Sequence, residues 1–484
     1  MADAKLCAEV FEIFDSGEQK GRGLRASKSL TPGDKVLEST PLVYVLCNSV
    51  RGLCCDFCFA KSEDLQRCSK CKFARYCNRE CQKSAWKDHK TECELTLNIS
   101  PNIPTDLVRL MARITQQEQS AKPSVSSVGS VYSSLVFHSD KFDDQRKEAF
   151  SAILVALKLF LGEGDFHKYS DDHLFALFGK ISCNSFTICD AELQPLGVGI
   201  YEIPSLLNHS CAPNCVAVFN GTKLLIHATE NIKQGDELTI SYTELLCPSY
   251  QRKEDLKSRY SFDCHCVKCN SPLEEDGLML SLQCSNSHCN GALPRDLAAL
   301  FAGGGFAACN TCGKQASNKA MVTKAEGNIS KSEEALKEIK ALEKTDDYNS
   351  ILDLAENVLD EQRCFFHKLN YSRIGILDKA MDACINLEFW DRALAFGLQT
   401  MDAYKLYYPR NHPSVGIQLF RIGKLQVYLD KLKDGFQSLL QAEAILKVTH
   451  GNHPLVQELR EMIGQTLEEL REEQNRKVQG MELI

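Results

Sequence analysis

The chain has 484 residues, which suggests about three domains, and its 44% hydrophobic and 25% charged residues are ordinary for a globular protein. Its formal net charge of −8 argues against binding nucleic acid through bulk positive charge. The most apolar run, residues 152–157, is much shorter than the ~20 residues that cross a bilayer, and the first residues lack the pattern of a signal peptide. We therefore expect a soluble intracellular protein, whose 24 cysteines suit metal ligation better than disulfides.

Residues 8–50 alternate in the manner of short β-strands. They contain Gly21-Arg22-Gly23 and a turn at Thr31-Pro32-Gly33-Asp34. No helix-opening Gly-x-Gly-x-x-Gly follows a strand here, so a Rossmann nucleotide site has no support. The glycine-flanked arginine belongs either to a plain hairpin or to a ligand site.

A ladder of metal-ligating side chains follows between residues 55 and 93. A Cys-x2-Cys pair binds one ion from a tight turn, and a pair four residues apart lies on one face of a helical turn, so eight ligands predict two tetrahedral zinc sites. The ligands are Cys55, Cys58, Cys68, Cys71, Cys77, Cys81, His89 and Cys93. Cys54 falls outside this spacing and is expected to be a bystander.

The ladder resembles a MYND zinc finger, in which the ligand pairs interleave. The resemblance implies one zinc on Cys55, Cys58, Cys77 and Cys81, and a second zinc on Cys68, Cys71, His89 and Cys93. Between residues 55 and 93 lie nine Lys and Arg against six Asp and Glu. Because a four-thiolate zinc site carries about −2 and a three-thiolate, one-imidazole site about −1, the basic side chains can simply compensate the metal sites. A surface that binds peptides or nucleic acid is the alternative.

Helices are predicted over 103–118 and 143–162, with a serine-rich loop at 120–130 between them. Residues 180–248 are rich in strand-like segments, at 186–188, 216–219 and 223–228, separated by glycine turns. Within them, residues 208–215 read Asn-His-Ser-Cys-Ala-Pro-Asn-Cys, and a later strand ends at Ser241-Tyr242. A dense group of polar side chains destabilises a fold unless each one has a hydrogen-bond partner. Such groups are typical of functional sites.

A third group of cysteines supplies three thiolates in the pattern Cys264-x-Cys266-x2-Cys269. A zinc ion needs a fourth ligand, and His265, Cys211 and Cys215 are the alternatives.

Two more short pairs, Cys284-x4-Cys289 and Cys309-x2-Cys312, follow. They are typical of a ribbon-like zinc knuckle, and the alternative is four free thiols in a loop.

The C-terminal part is predicted to be helical from about residue 331, after a polar linker at 315–330. Asn411-His412-Pro413 recurs as Asn452-His453-Pro454, 41 residues later, and each proline is expected to start a helix. This period favours a helix-pair solenoid related to tetratricopeptide repeats. The concave surface of such a solenoid either binds a peptide substrate or only covers the site where the substrate binds.

In their order along the chain, these motifs resemble the SMYD family of SET and MYND lysine methyltransferases. The motifs are residues 21–23, Cys183-Asn184-Ser185-Phe186, residues 208–215, Gly235–Leu238 with Ser241-Tyr242, and residues 264–269. The resemblance implies an α+β multidomain chain: a β-rich SET domain split by a MYND finger and a helical insert, a zinc-binding post-SET region and a C-terminal TPR-like α-helical domain. The expected boundaries are 1–50 for the first SET half, 51–97 for the finger, 98–178 for the helical insert, 179–250 for the second SET half, 251–275 for the post-SET site, 276–330 for the cysteine knuckle and linker, and 331–484 for the helical domain.

The resemblance also implies the ligands and their residues. S-adenosylmethionine would contact Arg22, Gly23, Asn184, Asn208, His209, Tyr242 and Phe262. Tyr242 would be catalytic, and the lysine channel would be walled by Phe186, Tyr242 and Tyr260. Cys211 would complete the third zinc site. In relatives the segment near 132–139 reaches the cofactor, but the match here is poor, and no residue is carried over from it.

The chemistry agrees with these assignments. Methyl transfer from a sulfonium needs an aligned, neutral amine and the exclusion of water, but no strong acid. Lysine, with a pKa of about 10.4, loses its proton more readily in an apolar aromatic channel. His209 is therefore not expected to act as a base; His209 and Tyr242 as ordinary core residues are the alternatives.

Histone tails or other proteins with a target lysine are the expected partners, in the cytoplasm and nucleus, and the chain is expected to be a monomer. Proline-rich peptides are a further expected partner of the finger. The competing function is a scaffold that binds peptides through the finger with weak or absent catalysis. Direct DNA binding is the least supported function because of the charge balance, and no membrane partner is expected.

Overall fold

A computed structural model describes residues 9–17, 20–120, 129–271, 273–297, 305–315 and 319–481. These divide into two compact units, one of Met1–His209, Asn214–Ile240 and Asp255–Asp263, the other of Ser210–Pro213, Ser241–Glu254 and Cys264–Ile484. Most of the serine-rich loop, residues 121–128, lies outside the described residues. Within the described part of the chain, no helix has the length and hydropathy needed to cross a bilayer.

The strands are short and lie mostly between residues 11 and 46, between residues 185 and 240, and in the two cysteine-rich segments. They are β1 Phe11–Asp15, β2 Arg22–Ala26, β3 Lys35–Ser39, β4 Val43–Leu46, β5 Gln66–Arg67, β6 Arg75–Tyr76, β7 Ser185–Cys189, β8 Pro195–Ile200, β9 Asn208–His209, β10 Cys215–Asn220, β11 Lys223–Ala228, β12 Glu237–Ile240, β13 Leu282–Gln283, β14 Ala292–Leu293, β15 Arg295–Asp296 and β16 Gly305–Phe306. The three strands predicted between residues 186 and 228 are thereby confirmed as β7, β10 and β11.

The helices flank these strands and then form the whole C-terminal part. They are α1 Arg79–Ile99, α2 Asp106–Ser120, α3 Gly129–Ser133, α4 Asp144–Leu161, α5 Glu163–Phe166, α6 Asp171–Asn184, α7 Ser249–Tyr260, α8 Val267–Asn270, α9 Leu273–Met279, α10 Lys319–Leu342, α11 Tyr348–Gln362, α12 Tyr371–Asn386, α13 Trp390–Tyr407, α14 Pro413–Tyr428, α15 Leu432–Thr449 and α16 Pro454–Met481. The predicted α+β architecture with a helical C-terminal domain is confirmed.

The SET strands form three small sheets. Their orders are β1-β2-β12-β9, β10-β11-β3 and β4-β8-β7. Strand β12 pairs antiparallel with β2 and parallel with β9, so it joins the beginning of the chain to the polar run at 208–215. The β10–β11 hairpin turns at Asn220-Gly221, where Gly221 has a φ of 59° that favours glycine.

The polar linker predicted over 315–330 is wrong from Lys319 onward, where α10 begins. Val322, Ala325 and Asn328 are buried at a spacing of three residues, and Ser332 and Ala335 continue the same face. The buried face of this helix includes small and polar residues as well as Val322. The sequence of the segment therefore lacks the strong apolar periodicity by which an amphipathic helix is recognised, and it resembles a polar linker.

The repeated His-Pro motif marks helix starts, as predicted. Pro413 occupies the first turn of α14, and the His412 ring nitrogen accepts the Ser414 N–H at 3.3 Å. His453 accepts the Leu455 N–H at 3.1 Å at the start of α16. The ring thus satisfies one of the backbone donors that every helix leaves unpaired at its N-terminus.

A buried ionic cluster attaches the finger helix α1 to the SET region. The Glu92 carboxylate accepts hydrogen bonds from Arg109 Nε at 2.7 Å and Arg113 Nη2 at 2.5 Å, both on α2. The same guanidinium groups donate to the carbonyl oxygens of Leu46 and Tyr44 on β4, at 2.8 and 2.5 Å. Burial alone would raise the pKa of Glu92, but the two guanidinium groups hold it well below its usual range. The carboxylate is therefore charged, buried and fully committed to these partners.

We expect Glu92→Gln to destabilise the first unit by roughly 3–5 kcal/mol, because it removes the carboxylate that two buried guanidinium groups share and leaves Asp56, 3.5 Å from Arg109 Nη2, as the buried counter-charge beside them. The matched control is Glu94→Gln on the same helix, where the carboxylate is exposed and pairs only with the exposed Lys70. The measurement is urea unfolding of the zinc-loaded protein, with the protease resistance of residues 55–120 as the readout at each urea concentration. Equal midpoints for the two variants would contradict a structural role for the cluster.

Candidate functional site: a polar SET corner and four metal-ligand clusters

The sheet β1-β2-β12-β9 brings Arg22, Gly23 and Asn208 together. Asn208 Nδ2 donates to Glu237 Oε1 at 2.9 Å and to the Arg22 carbonyl oxygen at 3.4 Å. A Cβ added to Gly23 would lie 2.8 Å from Asn208 Nδ2. A side chain at this position would force the Asn208 amide out of its hydrogen bonds with Glu237 and Arg22, which favours the glycine after Arg22.

Glu237 anchors this corner. Besides Asn208, it accepts hydrogen bonds from Ser16 Oγ at 2.7 Å and Lys20 Nζ at 2.6 Å. Burial raises the pKa of Glu237, but the donors from Lys20, Ser16 and Asn208 outweigh it and lower the pKa. The carboxylate orients the amide of Asn208, a role that the sequence motif alone does not reveal.

The segment after α3 connects Arg22 with Asn184. Arg22 Nη2 donates to the Ser134 carbonyl oxygen at 2.9 Å, and Asn184 Nδ2 donates to the Val136 carbonyl oxygen at 2.8 Å. Lys180 Nζ donates to the Ser133 carbonyl oxygen at 2.9 Å. Because these contacts use backbone oxygens, no side-chain motif in 132–139 signals them, and sequence reasoning assigned the segment no residues.

His209 and Phe186 each pack against an aromatic ring. The His209 ring is buried and lies 5.9 Å from the Phe262 ring, centroid to centroid. Phe186 packs edge-on against the buried Tyr201 at 5.6 Å. Burial raises the pKa of the half-buried Tyr260 hydroxyl. An environment that disfavours a phenolate also disfavours any other unpaired charge.

Tyr242 directly follows β12, in the Ser241–Glu254 segment of the second unit, and is half-buried. Two residues on, the Glu244 carboxylate accepts the N–H groups of Leu245 at 2.7 Å and Leu246 at 2.9 Å. It also accepts the Tyr408 hydroxyl at 2.6 Å, from the residue that follows α13. The backbone on the C-terminal side of Tyr242 is thus tied to the helical region, through residues that sequence reasoning did not single out.

The two ligand sets expected for the finger are each brought together. In the set Cys55, Cys58, Cys77 and Cys81, and in the set Cys68, Cys71, His89 and Cys93, the ligand atoms all lie within 4.8 Å of one another. Asn78 caps α1 by accepting the Cys81 N–H at 3.0 Å, and this cap places Cys81 in the first turn of the helix.

The distances between ligand atoms fit zinc. Four sulfurs about 2.3 Å from one ion in a tetrahedron lie about 3.8 Å apart, and a sulfur and an imidazole nitrogen lie about 3.5 Å apart. The Cys58–Cys77 and Cys68–Cys93 sulfurs are 3.6 and 3.8 Å apart, and Cys71 Sγ lies 3.5 Å from His89 Nε2.

Electrostatics in the second finger set also favour a cation. Burial acts to raise the pKa of the Cys71 thiol, but the hydrogen bond with His89 lowers it to about 6. Burial and the neighbouring Cys71 raise the pKa of Cys93 to about 12. A divalent ion would remove this conflict by stabilising every thiolate at once. His89 Nδ1 lies 3.4 Å from Glu92 Oε2, so the ionic cluster also orients the imidazole.

The third set contains Cys211 and not Cys215 or His265. Cys211, Cys264, Cys266 and Cys269 have their sulfurs within 4.8 Å of one another, and Cys211 Sγ lies 3.6 Å from Cys269 Sγ. Cys215 instead begins β10. The fourth set, Cys284, Cys289, Cys309 and Cys312, converges in the same way.

Comparison with known proteins places these features in a family. The SET domain family matches residues 21–243. The Histone-lysine N-methyltransferase SMYD3 of Mus musculus is 34% identical over 91% of this chain and 94% of its own length. The N-lysine methyltransferase SMYD2-A of Xenopus laevis is 31% identical over 93% and 98%, and the Histone-lysine N-methyltransferase ASHR1 of Arabidopsis thaliana is 30% identical over 91% and 92%.

Among solved structures, the SET domain of LSMT bound to lysine and AdoHcy aligns with 97% of the chain and 98% of its own, at 13% identity and a TM-score of 0.36. Because this TM-score is low, the family assignment rests on the sequence relatives.

We expect Cys55→Ser to lower the zinc content by one ion per chain, because it removes a ligand from a closed four-ligand site. The matched control is the adjacent Cys54→Ser, which removes a buried thiol outside the four ligand sets of the described residues. Elemental analysis of the purified variants measures the difference. A full zinc content in Cys55→Ser would contradict the assignment.

Proposed function

Because this chain belongs to the SMYD family of SET and MYND domain proteins, we propose that it is a protein-lysine N-methyltransferase that uses S-adenosylmethionine. The observation that supports this most is the corner formed by Arg22, Gly23 and Asn208, inside the region that matches the SET domain. Its relatives are named for histone lysines and for lysines generally, so we propose histone tails and other proteins as substrates.

The donors of the first unit match the groups of the cofactor. Arg22 suits a carboxylate, the backbone of Gly23 allows close approach, and the rings of His209 and Phe262 suit an adenine. Asn208 is suited to contact the cofactor through its backbone, because its side-chain nitrogen already donates to Glu237 and to the Arg22 carbonyl oxygen. Asn184 is better suited to act through its backbone, because its side-chain nitrogen already donates to Val136 and Lys180. When bound, S-adenosylmethionine supplies an activated methyl carbon.

The protein residues prepare the amine. Phe186 and Tyr260 provide surroundings of low polarity, which favour the neutral form of the target lysine over its ammonium form. The Tyr242 hydroxyl is proposed to orient that amine, and Glu244 to hold the backbone of Tyr242 in place. No protein nucleophile or strong acid is required.

The zinc ions are proposed to be structural, since each set offers four protein ligands and leaves no open position. Each set already has four ligands and needs none from a second copy, and we propose a monomer. The many thiol ligands support a reducing compartment, and we propose the cytoplasm and the nucleus. The finger carries the exposed Trp86, which supports a peptide-binding role, with proline-rich peptides as the proposed ligands.

We expect Tyr242→Phe to lower kcat by about 10²–10³-fold, since it removes one hydroxyl that orients the reacting amine. Cofactor affinity, measured by calorimetry, should change much less. The matched control is Tyr250→Phe, which removes a tyrosine hydroxyl from the same segment, on a side chain that is 48% exposed, and should keep full activity. Transfer of labelled methyl groups to histones and to a protein array measures both.

If wild type were as inert as Tyr242→Phe across that array, the methyltransferase proposal would be wrong. A wild-type protein that is inert but still binds proline-rich peptides would establish the scaffold function instead.

We expect Cys211→Ser to lose one zinc ion and to weaken cofactor binding, because Cys211 lies two residues after His209 in the chain. Cys215→Ser is the control, since Cys215 is buried nearby in sequence but outside the third ligand set. Zinc analysis and calorimetric titration with the cofactor check both variants. Unchanged zinc content and affinity in Cys211→Ser would refute the coupling.

A further inference from the structure

The four-cysteine segment between residues 281 and 315 has the geometry of a metal site. The Cys284 and Cys312 sulfurs are 3.7 Å apart, and so are the Cys289 and Cys309 sulfurs. Both distances agree with the separation of about 3.8 Å between sulfurs on one tetrahedral zinc. Two disulfides would bring only two pairs together, whereas here all four sulfurs lie within 4.8 Å of each other.

Backbone amides around these sulfurs are arranged to stabilise thiolates. The N–H of Asn286 points to Cys284 Sγ at 3.5 Å, that of Gly291 to Cys289 Sγ at 3.3 Å, and that of Thr311 to Cys309 Sγ at 3.5 Å. N–H groups that donate to thiolate sulfurs stabilise the charged form of the ligand that binds zinc. A Cβ on Gly291 would lie 2.6 Å from Cys309 Sγ, so the close turn needs glycine.

The same segment is attached to the start of the helical region. Leu282 forms an isolated β-bridge with Phe366, in the connection between α11 and α12, and the Gln283 N–H donates to the Phe365 carbonyl oxygen at 2.9 Å. The buried Asn370 donates from Nδ2 to the Ser281 carbonyl oxygen at 3.1 Å. His367 Nε2 lies 3.3 Å from the Asn290 carbonyl oxygen.

Metal-ligand side chains are also part of the local core. Cys284, Cys289 and Cys309 are buried in one cluster with apolar side chains of α10 and with Phe366; the other members are Leu282, Leu293, Phe306, Val322 and Ala325. The neighbouring strands β13 to β16 have two residues each, far too few for an independently stable sheet. The cluster therefore needs a cross-link, and the thiols are the groups placed to provide it.

We propose that Cys284, Cys289, Cys309 and Cys312 bind a fourth zinc ion that fastens α10 and the α11–α12 connection to the segment following the third cysteine cluster. The site is structural, with four protein ligands and no open position. Cys312 is exposed and the other three ligands are buried. A chelator therefore reaches the ion first from the side of Cys312. This inference goes beyond the proposed methyl transfer and does not depend on it.

The test compares Cys309→Ser with Cys364→Ser in the full chain. Cys364 is an exposed cysteine next to Phe365 and belongs to none of the four ligand sets in the described residues. We expect four zinc ions per chain in wild type and Cys364→Ser, and three in Cys309→Ser. Amide hydrogen exchange should become at least tenfold faster at 281–295 and 365–370 in Cys309→Ser only, and stay unchanged at 55–93.

Cys312→Ser provides a milder variant should Cys309→Ser fail to fold, because its side chain is exposed. It should lose the fourth ion to a chelator before the other three ions are released, with the same local change in exchange. Three zinc ions in wild type, or four in both cysteine variants, would overturn the site. Loss of one ion without faster amide exchange at 365–370 would show that the ion does not hold the α11–α12 connection in place.

Discussion

The first unit depends on the ion pairs of the buried Glu92 carboxylate. A charged group at this depth costs several kcal/mol unless it is paired, and its partners lie on two helices, one of which also holds a strand. His89 belongs to a metal-ligand set, and Arg109 and Arg113 belong to the next helix and also hold the carbonyls of β4. The carboxylate can be buried only when finger, helix and strand are all in position. The finger is thus a built-in part of the SET region, although its sequence looks like a separable insertion.

Among the SET strands, strand β12 connects distant parts of the chain in a similar way. By pairing with β2 on one side and β9 on the other, it sets Asn208 beside Arg22, although 186 residues separate them in the chain. The Asn208–Glu237 hydrogen bond then links β9 to β12 through side chains as well as backbone. Long-range pairing of this kind explains how a domain interrupted by a finger and helices can still assemble one polar corner.

The sequence predicts those features whose chemistry is encoded at short range. Cysteine spacing predicted the eight finger ligands and two sites, the MYND resemblance implied how they divide into two interleaved sets, and the glycine turns indicated the strands β10 and β11. Choosing Cys211 over Cys215 required the family resemblance, because spacing alone permits either. Contacts to backbone oxygens, such as those of Arg22 with Ser134 and Asn184 with Val136, leave no trace in side-chain patterns. The Glu92 cluster was missed for a related reason: arginines in an apolar helix look like its solvent face until the partner carboxylate is known.

Metal sites supplement small hydrophobic cores in the smallest parts of this chain. The sheets β5–β6, β13–β14 and β15–β16 consist of two-residue strands that cannot bury enough apolar surface to be stable alone. A structural zinc site contributes an apparent binding free energy of about 10–16 kcal/mol in small domains, which is sufficient to order such segments. Because every one of these clusters provides four protein ligands, no coordination position is left for water or substrate. The ions therefore act on catalysis only through the backbone they hold, which agrees with a methyl transfer that needs an aligned, neutral amine and no Lewis acid.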